Sequence, residues 1–243
     1  MLLALFLIDL AAGLVVFLPL VGRRNAGVKF YRLVIVIAGA LVAGAIIAHG
    51  FAQRRDLAAL DASLILFTLW VLAAMRYPKR LVYRAGFVLL SVDYVATGVV
   101  AFNAAMKPSH WGWAVAGALS SIALLGSVNL AMTLGHWYLV VRGMAIDPLK
   151  RLTIATLVAA SARVLVVVAA AFVADRRVLF DIFFWMRVMW GLAGPFALYP
   201  MVWGTVRIRS TMAATGILYV DVVAVVIGEV LGGWLASLVH FPL

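Results

Sequence analysis

Apolar runs long enough to cross a bilayer follow one another along almost the whole chain, and this decides what it can fold into. A helix needs about 20 apolar residues to span the hydrocarbon core. Eight stretches meet that length, at roughly 3–21, 28–50, 57–75, 83–105, 111–141, 152–174, 178–204 and 211–239. The connections between them are too short to fold as domains. The sequence therefore predicts a single integral membrane domain, 1–243, an all-α polytopic bundle of about eight transmembrane helices. Composition agrees: 67% of the residues are apolar and 12% are charged, against roughly 25% charged in a soluble domain. The first run lacks a basic segment ahead of it and an obvious cleavage site behind it, so it reads as a retained span.

The net charge of +11 does not point to nucleic acid. Its distribution orients the bundle. Arg23, Arg24, Lys29, Arg32, Arg76, Lys79, Arg80, Arg84, Arg142, Lys150, Arg151, Arg207 and Arg209 fall on one side of the expected spans. Only Arg54, Arg55, Lys107, Arg176 and Arg177 fall on the other. The positive-inside rule places the first set in the cytoplasm and both termini on the non-cytoplasmic side. The expected surroundings are membrane lipids, with anionic lipid at the basic face and other membrane-complex subunits as partners. A bacterial cytoplasmic (inner) membrane is the expected location.

With no sizeable loop, any chemistry must lie within the spans or at their ends. Ionisable groups there are costly and face the bundle or a wet cavity. In span 7, Arg187, Gly191 and Gly194 share a face, while Pro195 and Pro200 interrupt the hydrogen-bond ladder. Either an ordinary kink or an opened helix follows. In span 8, Asp221, Gly228 and Gly232 share a face and Glu229 lies about 80° away. Glu229 or Asp221 is expected to neutralise Arg187. Arg163 in span 6 is expected to pair with Asp93 in span 4, with Asp221 competing. Asp9 and Asp61 lie toward the outer side, within reach of water. Gly228 and Gly232, like Gly117 and Ser121, have the spacing of close helix contacts.

Residues 133–144 read TLGHWYLVVRGM. Gly126, Asn129, Thr133 and His136 fall within about 80° of one another, a polar stripe that predicts His136 facing the bundle near the cytoplasmic end. Trp137 and Tyr138 then point away and suit an interfacial aromatic belt. A quinone requires an apolar slot with one or two polar groups near a membrane surface. His136, Asn129, Thr133 and Arg142 supply such groups, although a structural hydrogen-bonding histidine would make the same stripe. A bis-histidine haem site would need a second histidine at the level of His136, and none is there. His49, His110 and His240 share the outer level, where haem or copper could be held, but their spacing does not demand it.

The chain has no cysteine, which excludes disulfides, thiolate metal sites and a cysteine nucleophile. P-loop, H-E-x-x-H and G-x-S-x-G patterns are absent. Three functions remain: a membrane subunit of an electron-transfer complex with a quinone site near the cytoplasmic surface, not catalytic on its own; a small-solute or ion transporter using buried charges in spans 6–8; or a structural and assembly subunit.

Overall fold

The computed structural model describes residues 1–49, 58–75, 80–141, 143–174 and 179–243. Their regular structure is helical throughout: α1 (Leu2–Val21), α2 (Arg23–His49), α3 (Ala58–Ala74), α4 (Arg80–Met106), α5 (Trp111–Val140), α6 (Asp147–Val173), α7 (Ile182–Met186), a π-helical segment (Arg187–Ala193), α8 (Gly194–Arg207) and α9 (Thr211–Val239). With Ile182–Arg207 taken as one span, seven helices among the described residues are long and apolar enough to cross a membrane. These are the helices of an integral membrane bundle. The expected third span appears as α3, described over Ala58–Ala74.

The bundle is organised around α1, which packs against α2, α4, α5, α6 and α9. Small residues make this possible. Ala4, Ala11, Ala12 and Gly13 are all buried, and a Cβ added at Gly13 would run into the backbone of Gly126 in α5, or the reverse. Backbones in lipid approach this closely only where side chains are absent.

The α1–α2 hairpin is closed by side chains that serve the last carbonyls of α1, which have no partner within their own helix. Tyr31 Oη donates to Leu18 O at 3.0 Å and Asn25 Nδ2 to Val21 O at 3.2 Å. Gly22 (φ 74°) turns the chain. Gly27 (φ 79°) breaks the first turn of α2, so the regular helix starts at residue 28, where the apolar run begins. Arg23 lies 4.2 Å above the Tyr83 ring, tying this turn to α4. At the opposite end of the bundle, residues 241–243 turn back inward after His240 (φ 62°). Phe241 meets Trp113 edge-on at 5.7 Å, and Leu243 is fully buried.

The proline-interrupted span is not a simple kink. From Arg187 to Ala193 the helix is π-helical. Pro195 has no N–H to give to the carbonyl four residues back, at Gly191, and the wider turn follows directly upstream of it. Such turns are rare in α-helices and concentrate at functional sites.

Gly126→Val should abolish the α1–α5 backbone contact and destabilise the protein by at least the 1–3 kcal/mol, roughly, of an overpacked core. Gly204→Ala, with nothing within 4 Å of its Cβ position, should be neutral or slightly stabilising. Thermal unfolding of the detergent-purified variants compares the two. Equal melting temperatures would show that the α1–α5 approach is not what holds the bundle.

Candidate functional site

The polar residues of four helices converge at one place. Arg163 of α6 is 2% exposed, Arg187 of the π-helical segment 0% and Glu229 of α9 6%. Arg163 grips Glu229 in bidentate fashion, Nε to Oε1 at 2.9 Å and Nη2 to Oε2 at 2.8 Å. Its Nη1 donates to Ser120 Oγ at 3.0 Å and to Gly117 O at 3.3 Å on α5. Arg187 Nη1 donates to Gly228 O at 2.6 Å and reaches Glu229 Oε1 at 3.4 Å. One carboxylate thus serves two guanidinium groups.

Glycines let Arg187 in. Gly191 and Gly228 pack backbone to backbone, and a Cβ on Gly232 would overlap the Arg187 guanidinium. The small-residue pairs of α5 and α9 therefore act within the chain. Gly228 and Gly232 make room for Arg187, and Gly117 faces the Phe102 ring and Pro242.

The cluster forms one wall of a cavity of about 400 Å³ between α1, α4, α5, α6 and α9. Asp9, Ser121, Arg163 and Glu229 supply its polar wall, and Leu5, Phe6, Phe102, Met106 and Trp234 are among its apolar lining. Leu3, Val230 and Trp234, also part of the lining, are exposed on the bundle flank, so the cavity communicates with the apolar surface. Asp9 is 2% exposed and its Oδ1 has no hydrogen-bond partner among the described residues. Glu229 offsets only one of the two arginine charges, and Asp9 brings the second carboxyl to the same wall. Arg187 Nε and Nη2 also lack partners. A partly satisfied charge cluster beside an apolar cavity is the pattern of a ligand site.

Several expectations are corrected. Arg163 pairs with Glu229 and with neither Asp93 nor Asp221. Asp93 faces α3 instead, where Ser63 Oγ donates to its two carboxylate oxygens at 2.9 and 3.1 Å. The reason is topological: α6 packs on α1, α5, α8 and the π-helical segment, whereas α4 packs on α1, α3, α5 and α9. Arg187 meets Glu229 as expected, but Asp221 joins neither arginine. Asp9 is enclosed by protein and was missed as a site residue, as were Ser120 and Ser121.

The stripe on α5 is also read differently. His136 is exposed, and its Nδ1 lies 3.4 Å from Tyr219 Oη. Asn129 Nδ2 donates to Leu125 O and Thr133 Oγ1 to Asn129 O, each at 2.8 Å. Both side chains are satisfied by their own helix and need no interior partner. The buried direction is set by Gly126 against Gly13. Trp137 lies about 20° from that direction and His136 about 80°. Trp137 accordingly packs on Phe30, centroids 5.6 Å apart, and the buried Tyr138 hydroxyl donates to Ala145 O. Arg142 lies outside the described residues. Of the outer histidines, His240 Nδ1 sits 2.7 Å from Met106 O, His110 is the exposed residue preceding α5, and the His49 side chain lies outside the described residues. Among the described residues no group of three or more His, Asp or Glu is placed to hold a metal ion.

Glu229→Gln should destabilise the protein by about 3–5 kcal/mol, because it leaves two buried guanidinium groups without their counter-charge. A triple replacement of Arg163, Arg187 and Glu229 by methionine or leucine should cost much less. Unfolding midpoints of the purified variants measure both, and a Glu229→Gln protein as stable as the parent would remove the shared ion pair as a stabilising element.

No family model matches this chain, and no curated protein or solved structure matches it either.

Proposed function

We propose that this chain is a membrane subunit of an electron-transfer complex and binds a quinone-class molecule in the cavity walled by Asp9, Ser121, Arg163 and Glu229. The observation that carries the reading is the Asp9 carboxyl: buried, with a free Oδ1, at the polar wall of an otherwise apolar cavity of about 400 Å³. That volume is in the range of small-molecule sites, and a few convergent polar groups in an apolar slot are what orient such ligands. A quinone head group needs hydrogen-bond donors at its oxygens and a group that exchanges protons with them. Ser121 and the Arg163 guanidinium are the donors, and Asp9 is the proton-exchanging group. The isoprenoid tail leaves along the flank past Leu3 and Val230. Electrons pass to a redox partner subunit.

The site is thereby moved from His136, whose ring is on the outside of α5, to the end of the bundle that carries Leu2, Met106 and Ala236. With eight spans and the basic loops in the cytoplasm, that end is non-cytoplasmic, in a bacterial cytoplasmic membrane, and anionic lipid gathers at the opposite, basic face. The chain's lack of cysteine makes this orientation easy to test. A single cysteine introduced at Lys150 should be labelled only from the cytoplasmic side, and labelling from outside would reverse the assignment.

Quinone binding is read from quenching of tryptophan fluorescence by a short-chain quinone, and from quinone extracted with the purified protein. About one equivalent per chain is expected. Gly233→Phe should fill the cavity and weaken binding at least tenfold, since the nearest atom to its Cβ position is the Met106 methyl at 3.9 Å. Asp9→Asn should keep binding within a few-fold while slowing quinol-linked turnover of the assembled complex. Folded parent protein that takes up no quinone would overturn the reading and favour a structural subunit.

A further inference from the structure

A second buried carboxyl stands apart from the charge cluster. Asp221 of α9 is 3% exposed, makes no hydrogen bond or ion pair among the described residues, and its Oδ1 is among the buried atoms without a partner there. It faces a small cavity of about 10 Å³ lined also by Thr153 and Thr156 of α6 and by Pro195 and Tyr199 of α8. A space of that size holds one water-sized particle.

The chemistry of the lining selects what that particle is. Thr153 Oγ1 donates to Leu149 O at 2.9 Å and Thr156 Oγ1 to Leu152 O at 3.1 Å. Their hydrogens are committed to their own helix, so toward the cavity both hydroxyls offer lone pairs only. The Asp221 carboxylate likewise only accepts. Pro195, which has no N–H to offer, lines the cavity directly after the π-helical segment. Interrupted helix backbone at membrane depth is tolerated where it borders a cavity. An oxygen-only set suits a hard cation. A single carboxylate matches one positive charge, whereas divalent sites recruit several carboxylates and transition metals favour nitrogen or sulfur.

We propose that Asp221, Thr153 and Thr156 bind a monovalent cation of sodium size against the π-helical interruption of the seventh apolar run. The site is independent of the quinone reading: Asp221 lies eight residues from Glu229 on α9, about 12 Å along the helix axis, and lines a different cavity.

The test uses the intact purified protein in lipid nanodiscs, with sodium chloride exchanged for choline chloride at constant ionic strength. Sodium should raise the melting temperature by several degrees in a saturable way, and radioactive sodium should bind at about one ion per chain. Asp221→Asn should abolish both effects. Thr156→Val should weaken sodium binding at least tenfold without lowering the melting temperature in choline, which keeps the test decisive if the Asp221 variant fails to fold. A parent protein indifferent to sodium, lithium and potassium would overturn the proposal. So would undiminished sodium binding in Thr156→Val, or stabilisation by acid pH alone, which would show a protonated carboxyl in place of the ion.

Discussion

The Glu229 carboxylate is the element on which the interior depends. It is the only acid in ion-pair contact with Arg163 or Arg187 among the described residues, and three of the packing solutions described above exist to serve it. Gly228 and Gly191 close the gap between α9 and the π-helical segment, Gly232 leaves room for a guanidinium, and Ser120 with the Gly117 carbonyl takes up the remaining side of Arg163. Each buried charge carries a desolvation cost of several kcal/mol, and replacing a buried pair by apolar residues is often neutral or stabilising. Stability alone is therefore a weak reason to keep three charges and a second carboxyl at this depth. Their position on the wall of a cavity supplies a better one.

The arrangement separates two physical regimes within one bundle. Around α1 the contacts are tight and dry, made by alanine, glycine and leucine with backbones in direct contact. Toward the end that carries residues 1 and 243, the bundle leaves a cavity with a charged wall and an edge on its exposed flank. Rigidity in the first region is what allows the second to hold polar groups at fixed positions, since a site is only as well placed as the elements behind it.

Much of this was legible in the sequence. Run length places helices close to where they are found. Depth in consecutive runs narrows the partner of Arg187 to Glu229 or Asp221, and the bundle selects Glu229. The pairing of Arg163 does not follow from depth, because helix adjacency is a property of the assembled bundle: Asp93 lies at a suitable depth but faces α3. His136 was misplaced for a different reason. Polarity on a membrane helix does not give an inward direction here, because Asn129 and Thr133 are satisfied by their own backbone, and α5 is enclosed on opposite sides, Gly126 against Gly13 of α1 and, 180° away, Gly117 against Phe102 and Pro242. Asp9 does not stand out in the sequence because its depth toward the outer side puts water within reach, whereas the packing of α4, α5 and α9 around α1 buries it.

The π-helical stretch has a consequence for how this chain tolerates change in length. In an α-helix the loss of one residue turns every later side chain by about 100°, and in the tightly packed α1 or α5 that would move glycines out of contact and bring larger groups into their place. A π turn is a helix carrying a surplus residue within an otherwise regular ladder. Losing one residue between Arg187 and Ala193 would convert it to ordinary α-helix and leave α8 facing its neighbours as before. The stretch that presents Arg187 to Glu229 is thus also the bundle's one described register adjuster, the place where an insertion once accommodated can be kept or lost without repacking the helices on either side.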